Sequence, residues 1–293
     1  MSIRFGPAGA SNSFHEEGYK SSLDMPEWLK KRGLNAFEYQ CGRGVHIKDE
    51  TAGRLGLLAA KHDIQLSLHA PYYINLSTTE PAIQVKTRGH ILKALCAARA
   101  MGAKTVVFHP GSGTGDNRKE ILSRAKVFFK EILAEVEEQG LSDIVLAPET
   151  MGKQNQLGSL EEVLELCELG RQVRPCLDFG HLHAVSRGGL TEQAAFTVLL
   201  DRIEEKLGAS YLQDLHIHFS PVEFTAGGEK QHRTGLDTGY GPDFALLAKI
   251  LIDRGLTPTI ICESAGRQAE DACAYRDIYF QLLGQSGSKI ADP

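Results

Sequence analysis

His69 closes the run QLSLHAP, His109 closes TVVFHPG, Glu149 closes DIVLAPET and Glu263 closes TIICES. Between them, RPCLDFGH carries Asp178 and, three residues on, His181, while DLHIHFS carries His216 and His218. Each group ends or sits in a short apolar, β-branched run, the pattern of a buried strand that delivers a polar side chain at its end. Taken alone, a histidine or an acid in such a place is usually a hydrogen-bonded structural residue or half of an ion pair. Gathered without a cation, carboxylates and imidazoles repel, shift their pKa values and cost on the order of several kcal/mol. Lys and Arg are nearly absent from these run ends, so bound cations are the expected counter-charge. Nitrogen and oxygen donors without sulfur suit Zn2+, with Mn2+ or Fe2+ as alternatives, and the donors outnumber what one tetrahedral ion can use. A cluster of two or three ions is therefore expected.

A further acid and imidazole, Glu229 and His232, lie in GGEKQHRTG, a glycine-rich and charged stretch that reads as an open loop. They are either extra ligands or, for Glu229, half of a loop salt bridge to Lys230 or Arg233.

Positioning these groups requires a scaffold that points many strand ends the same way. Eight apolar runs begin at Ile3, Ala36, Gln65, Thr105, Asp143, Arg174, Asp214 and Thr259. Segments with helical spacing separate them, over 26–32, 50–62, 81–101, 118–139, 159–169, 191–207, 243–254 and 268–283, several closing on glycine as in ARAMG, EEQG and IDRG. Eight strand–helix alternations without a linker or composition break define an α/β chain, a single (β/α)8 barrel domain over residues 1–293. A doubly wound open sheet would place a Gly-rich phosphate loop after the first strand, and GPAGASNS matches that poorly. Alternation along the strands turns Leu66 and Leu68 toward the helices and Ser67 and His69 inward; likewise Leu215 and Ile217 face out and His216 and His218 in. The third to eighth strands thus each bring a His, Asp or Glu to one rim, the face where barrel active sites form.

At 293 residues and net charge −5, the chain is an ordinary globular composition rather than a broadly basic nucleic-acid binder, although a local basic groove stays open. No apolar run is long enough to span a bilayer and the N-terminal MSIRFG lacks a secretory pattern, so a cytoplasmic monomer is the expectation. The six cysteines include no CxxC pair and read as reduced core thiols.

LHAPYYINLS, FHPGSG, APET, LDFGH, DLHIH and ICES, in that order over nearly the whole chain, resemble the endonuclease IV family, the family 2 apurinic/apyrimidinic endonucleases. The resemblance implies a (β/α)8 barrel with three Zn2+ ions that incises duplex DNA on the 5′ side of an abasic site. It implies that His69, His109 and Glu149 hold one ion, that Glu149 bridges to a second held by Asp178, His216 and Glu263, and that His181 belongs to the third. In the family a D-x-H pair after the seventh strand completes the third site; here Glu229 and His232 supply E-x-x-H, and the longer glutamate is expected to offset the altered spacing. His218 is a spare candidate, and His183 is expected beside the site or in solvent. Tyr72 matches the family's intercalating aromatic. The DNA-penetrating arginine segment after the second strand is replaced by EYQCGRGV, leaving Gln40 and Arg43 as substitutes, and HFSP stands where a polar N-D-S-K run is expected. Two alternatives share the scaffold: a divalent-metal sugar isomerase or epimerase using one or two ions, and a non-enzymatic metal- or nucleic-acid-binding barrel.

Overall fold

The computed structural model describes residues 2–114 and 117–289. Eight parallel barrel strands occupy the eight apolar runs: Arg4–Pro7, Ala36–Gln40, Gln65–His69, Thr105–Phe108, Val145–Pro148, Cys176–Asp178, His216–Phe219 and Thr259–Cys262. They form two half-sheets, the second to fifth strands in one and the sixth, seventh, eighth and first in the other. Isolated parallel bridges close the two seams: Ala8 with Glu38 on one side, Leu146 with Val173 and Glu149 with Cys176 on the other. The chain is thus a single-domain (β/α)8 barrel. No helix among the described residues is long and apolar enough to cross a membrane.

Eight principal helices wrap the strands: Met25–Lys31, Asp49–His62, Pro81–Met101, Arg118–Glu138, Leu160–Cys167, Gln193–Leu207, Phe244–Asp253 and Gln268–Lys289. Their ends follow local chemistry. Pro81–Met101 starts on a proline, whose missing N–H costs a first turn nothing, and stops at Gly102 in the left-handed region (φ 68°). Leu160–Cys167 opens on a reciprocal cap between Ser159 and Glu162. Outward strand residues such as Leu68, Val106, Phe108 and Ile217 join the large core under the helices. The lumen holds smaller groups, among them Ala36, Val107, Ala147, Cys176 and Ile261.

The open loop expected after the seventh strand is instead a β-hairpin, Val222–Thr225 with Gly228–His232. Its pairing runs Val222–His232, Glu223–Gln231, Phe224–Glu229 and Thr225–Gly228, so Lys230 is one residue more than its partner strand supplies. Such a bulge resets the alternation of side chains. Glu229 and His232, three apart, then approach on the same side, Nε2 to Oε1 3.8 Å, as residues two apart do on a regular strand. The bulge is what brings the acid and the imidazole of E-x-x-H to the same side of the hairpin. The hairpin docks through Glu229 N to Gly152 O at 2.7 Å. Gly228 sits at φ +107°, where a Cβ would come within 2.2 Å of Gly152 O, so only glycine fits there.

Candidate metal centre

Glu149, just beyond the fifth strand and 1% exposed, is the hub. Its Oε2 lies 3.2 Å from His69 Nε2 and 3.1 Å from His109 Nε2. Its Oε1 lies 3.3 Å from His181 Nδ1 and 3.4 Å from His218 Nδ1. Asp178 caps the short helix Phe179–Val185, its Oδ1 accepting from His181 N at 2.7 Å, which is how the sixth strand places both residues together. Three imidazoles have one nitrogen already engaged. His69 Nδ1 pairs with Ala70 O at 2.8 Å, His181 Nδ1 with Thr150 O at 2.9 Å and His232 Nδ1 with Ser220 Oγ at 2.6 Å. Their Nε2 atoms face carboxylates: Glu149 for His69, Glu229 at 3.7 Å for His181, and Glu229 and Glu263 (3.9 Å) for His232. Pinning one ring nitrogen so that the other is free is the usual arrangement around metal-binding histidines.

Among the described residues, besides a group of Cys176, His216 and His218, ligand atoms converge in three adjoining groups: His69, His109 and Glu149; Glu149, Asp178, His218 and Glu263; and Asp178, His181 and His232. Glu149 belongs to the first two and Asp178 to the last two. Their electrostatics call for cations. Burial pushes the Glu149 carboxyl up, yet the His109 and His218 imidazoles hold it well below the usual carboxylate range. Burial, with the Glu149 and Asp178 charges adding to it, carries Glu263 up to about 7 against His218 and His232. Burial lowers His181, but Asp178 and Glu149 lift it to about 10. Glu149 Oε1, Asp178 Oδ2 and His218 Nδ1 are buried with no hydrogen-bond partner, a penalty that ligation would remove. The donor set therefore fits divalent ions.

The seventh strand departs from the expectation. His216 does not reach the central group: its Nε2 bonds Glu38 Oε2 at 2.8 Å, while His218, two residues further up the barrel axis, lies within 3.5 Å of Glu263 Oε1. Both histidines face inward, so alternation could not separate them; height along the strand does, since His218 pairs with Asp178 and His216 with Cys176. Glu38 was missed altogether, a fully buried acid on the second strand whose inward parity alone could have drawn notice. His183 is buried against Phe224 rather than solvent-facing.

Above the ligands opens a cavity of about 680 Å³ lined by Gln40, Tyr72, Met151, Lys153 and Gln268 among others. Tyr72, 55% exposed, stacks on His109 with ring centroids 5.1 Å apart. Arg43 is exposed on the turn after the second strand and is not among the cavity-lining residues.

A closed barrel with a histidine–carboxylate cluster at the C-terminal rim is the architecture of a metal-dependent TIM-barrel enzyme. The chain belongs to the xylose isomerase-like TIM barrel family, whose family model matches residues 26–278. It is 34% identical over 263 residues to an uncharacterized protein of Methanocaldococcus jannaschii, covering 89% of this chain and 91% of that one. It is 27% identical over 190 residues to a probable endonuclease 4 of Mycoplasma pneumoniae, covering 62% of this chain and 63% of the relative. Among solved structures, a D-tagatose 3-epimerase-like protein superposes with TM-score 0.70 at 20% identity, over 97% of this chain and 99% of the other. Endonuclease IV from Thermus thermophilus superposes with TM-score 0.69 at 20% identity, over 96% and 99%.

Proposed function

We propose that this protein is a metal-dependent phosphodiesterase of the endonuclease IV kind, cutting the backbone of duplex DNA on the 5′ side of abasic sites. The observation that carries the reading is the sharing of Glu149 and Asp178 between adjacent groups of ligand atoms, an arrangement that would let three ions sit side by side. In this reading His69, His109 and Glu149 hold the first ion, Glu149, Asp178, His218 and Glu263 the second, and Asp178, His181 and His232, with Glu229 close by, the third. The donor types suit Zn2+, with Mn2+ or Fe2+ as alternatives. When bound, such ions polarise phosphoryl oxygens, lower the pKa of water and stabilise charge on the leaving oxygen.

The chain's own groups supply the orientation. Glu149, fixed between four imidazoles, holds an attacking water in line by one carboxylate oxygen while the other stays with His69 and His109. Tyr72 presents an aromatic face on which a base beside the lesion can stack. Gln40 and Lys153 line the cavity. In this reading the Lys153 ammonium meets a backbone phosphate and the Gln40 carbonyl oxygen accepts from a sugar hydroxyl, while Arg43, exposed outside the lining, is a further candidate for a phosphate of the flanking duplex. An abasic nucleotide has little stacking to lose, so extruding it to the rim is inexpensive.

One observation favours a second reading: the central group of Glu149, Asp178, His218 and Glu263 is a complete four-donor site on its own, sufficient for a one-ion sugar epimerase. That reading leaves His69, His109, His181, Glu229 and His232 without a use. Incision of a duplex with one abasic-site analogue, measured beside the bound-metal count, decides. Three ions and 5′ incision lost in Glu149→Gln support the nuclease; one ion, no incision and turnover of a ketose would replace it with sugar chemistry.

A further inference from the structure

Glu38, on the second strand, is fully buried and has no part in the ligand groups. A carboxylate has only acceptor positions, about four of them, and donors surround those of Glu38. Ser67 Oγ donates at 2.9 Å and His216 Nε2 at 2.8 Å to Oε2, and Gln40 Nε2 donates at 3.1 Å to Oε1. His218 Nε2 stands 3.0 Å from Oε1, near enough to bond but out of line; contacts of this kind commonly tighten when a site is filled. The other nitrogen of the same ring, Nδ1, is 3.4 Å from Glu149 Oε1 and 3.5 Å from Glu263 Oε1. A neutral imidazole carries one proton, so a proton held at Nε2 leaves Nδ1 as a lone pair facing those carboxylates.

We propose that Glu38 is a positioning residue that sets two groups at once. It holds the Nε2 proton of His218, so that Nδ1 is presented to the central ligand group, and it holds the Gln40 amide nitrogen, so that the Gln40 carbonyl oxygen is left for the substrate cavity. Carboxylates bonded to the far nitrogen of a metal-binding histidine act in this way, and losing one typically weakens metal binding about 10–100-fold. The competing use of the same residues is an ion held by Cys176, His216 and His218, whose ligand atoms also lie close together. Against it, His216 Nε2 already bonds Glu38 Oε2 at 2.8 Å. The assignment rests on the proposed function for the role of Gln40 but not for that of His218.

The test is nitrogen-15 NMR of histidine-labelled, metal-loaded full-length protein, joined to chelator competition. The expected result is a proton on His218 Nε2 and a metal-shifted Nδ1. A proton on Nδ1, or a thiolate-to-cobalt absorption band in the Co2+-substituted protein, would overturn the proposal without any variant being needed. Glu38→Gln is expected to retain one ion about 10–100-fold less tightly, with Ser67→Ala, which keeps the charge, losing less; wild-type retention in both overturns it. If the wild type binds its ions and Glu38→Gln weakens one of them, yet abasic DNA stays whole, the nuclease reading falls and the role of Glu38 stands. If abasic DNA is incised while the variant retains its ions as the wild type does, the nuclease reading stands and the role of Glu38 falls.

Discussion

Four imidazoles face Glu149, and replacing it with glutamine keeps its volume while removing the charge they share. Glu149→Gln is expected to lower incision by at least about a hundred-fold, the scale of deleting one preorganised charged group from a reacting site, and to release metal in an atomic-absorption count. The seventh strand offers a sharper comparison. His218→Ala should lose one ion, whereas His216→Ala should keep the full count at saturating metal and destabilise the fold by about 1–3 kcal/mol, because Glu38 loses a buried partner. Equal metal counts in the two variants would refute the assignment of His218. These two residues also mark where the sequence stops being legible. Period-two alternation shows which residues face the lumen, but not how far up the axis each one stands, and residues 216 and 218 differ only in that height. Glu38 was hard to read for a different reason: apart from Gln40 on its own strand, its partners Ser67, His216 and His218 come from other strands, and in AFEYQC only its inward parity marks it.

The elements were easier to read than their junctions. All eight barrel strands fall in the apolar runs, because hydrophobic periodicity reports which face is buried, and the left-handed glycine at 102 ends its helix where expected. The hairpin after the seventh strand was hidden because its one-residue bulge depends on docking against the loop at Gly152. A Cβ at Gly152 would stand 2.7 Å from both Glu229 Cβ and His181 Cδ2, so Gly152→Ala is expected to push the hairpin off the sixth-strand helix. The bound-metal count should then fall by one ion, and a count unchanged from wild type would show that the hairpin adds no ligand. Elsewhere Glu162, buried at the start of Leu160–Cys167, accepts from Gly158 N and Ser159 N at 2.9 Å and pairs with Arg118, whose Nη2 is 2.8 Å away. Burial raises its pKa, but the Arg118 bond and these backbone donors bring it below the ordinary value of 4.5. A folded-state pKa below the unfolded one gives stability that is present above pH 4.5 and lost as pH falls through the lowered value. Glu162→Gln should therefore cost about 1–3 kcal/mol at neutral pH, with the difference from wild type shrinking in acid melts below that point.

At the scale of the whole molecule, the ligand groups divide along the two half-sheets. His69, His109 and Glu149 follow the third, fourth and fifth strands, all in one half; Asp178, His181 and His232 follow the sixth and seventh, in the other. Only the central group draws on both, joining Glu149 to Asp178, His218 and Glu263 across a seam otherwise closed by the isolated bridges at Leu146 and Glu149. In the proposed reading, loading the central group ties the barrel wall across a seam that has only isolated bridges, and an ion present at about a thousand times its dissociation constant adds about 4 kcal/mol of stability. In hydrogen-exchange experiments the amides of Leu146, Thr150 and Arg174, which carry the bonds of that seam, should slow on metal loading far more than those inside either half-sheet. His218→Ala should erase most of that slowing. The barrel is then expected to act as two leaves latched between the fifth and sixth strands, chelation loosening the wall along that seam as well as emptying the rim.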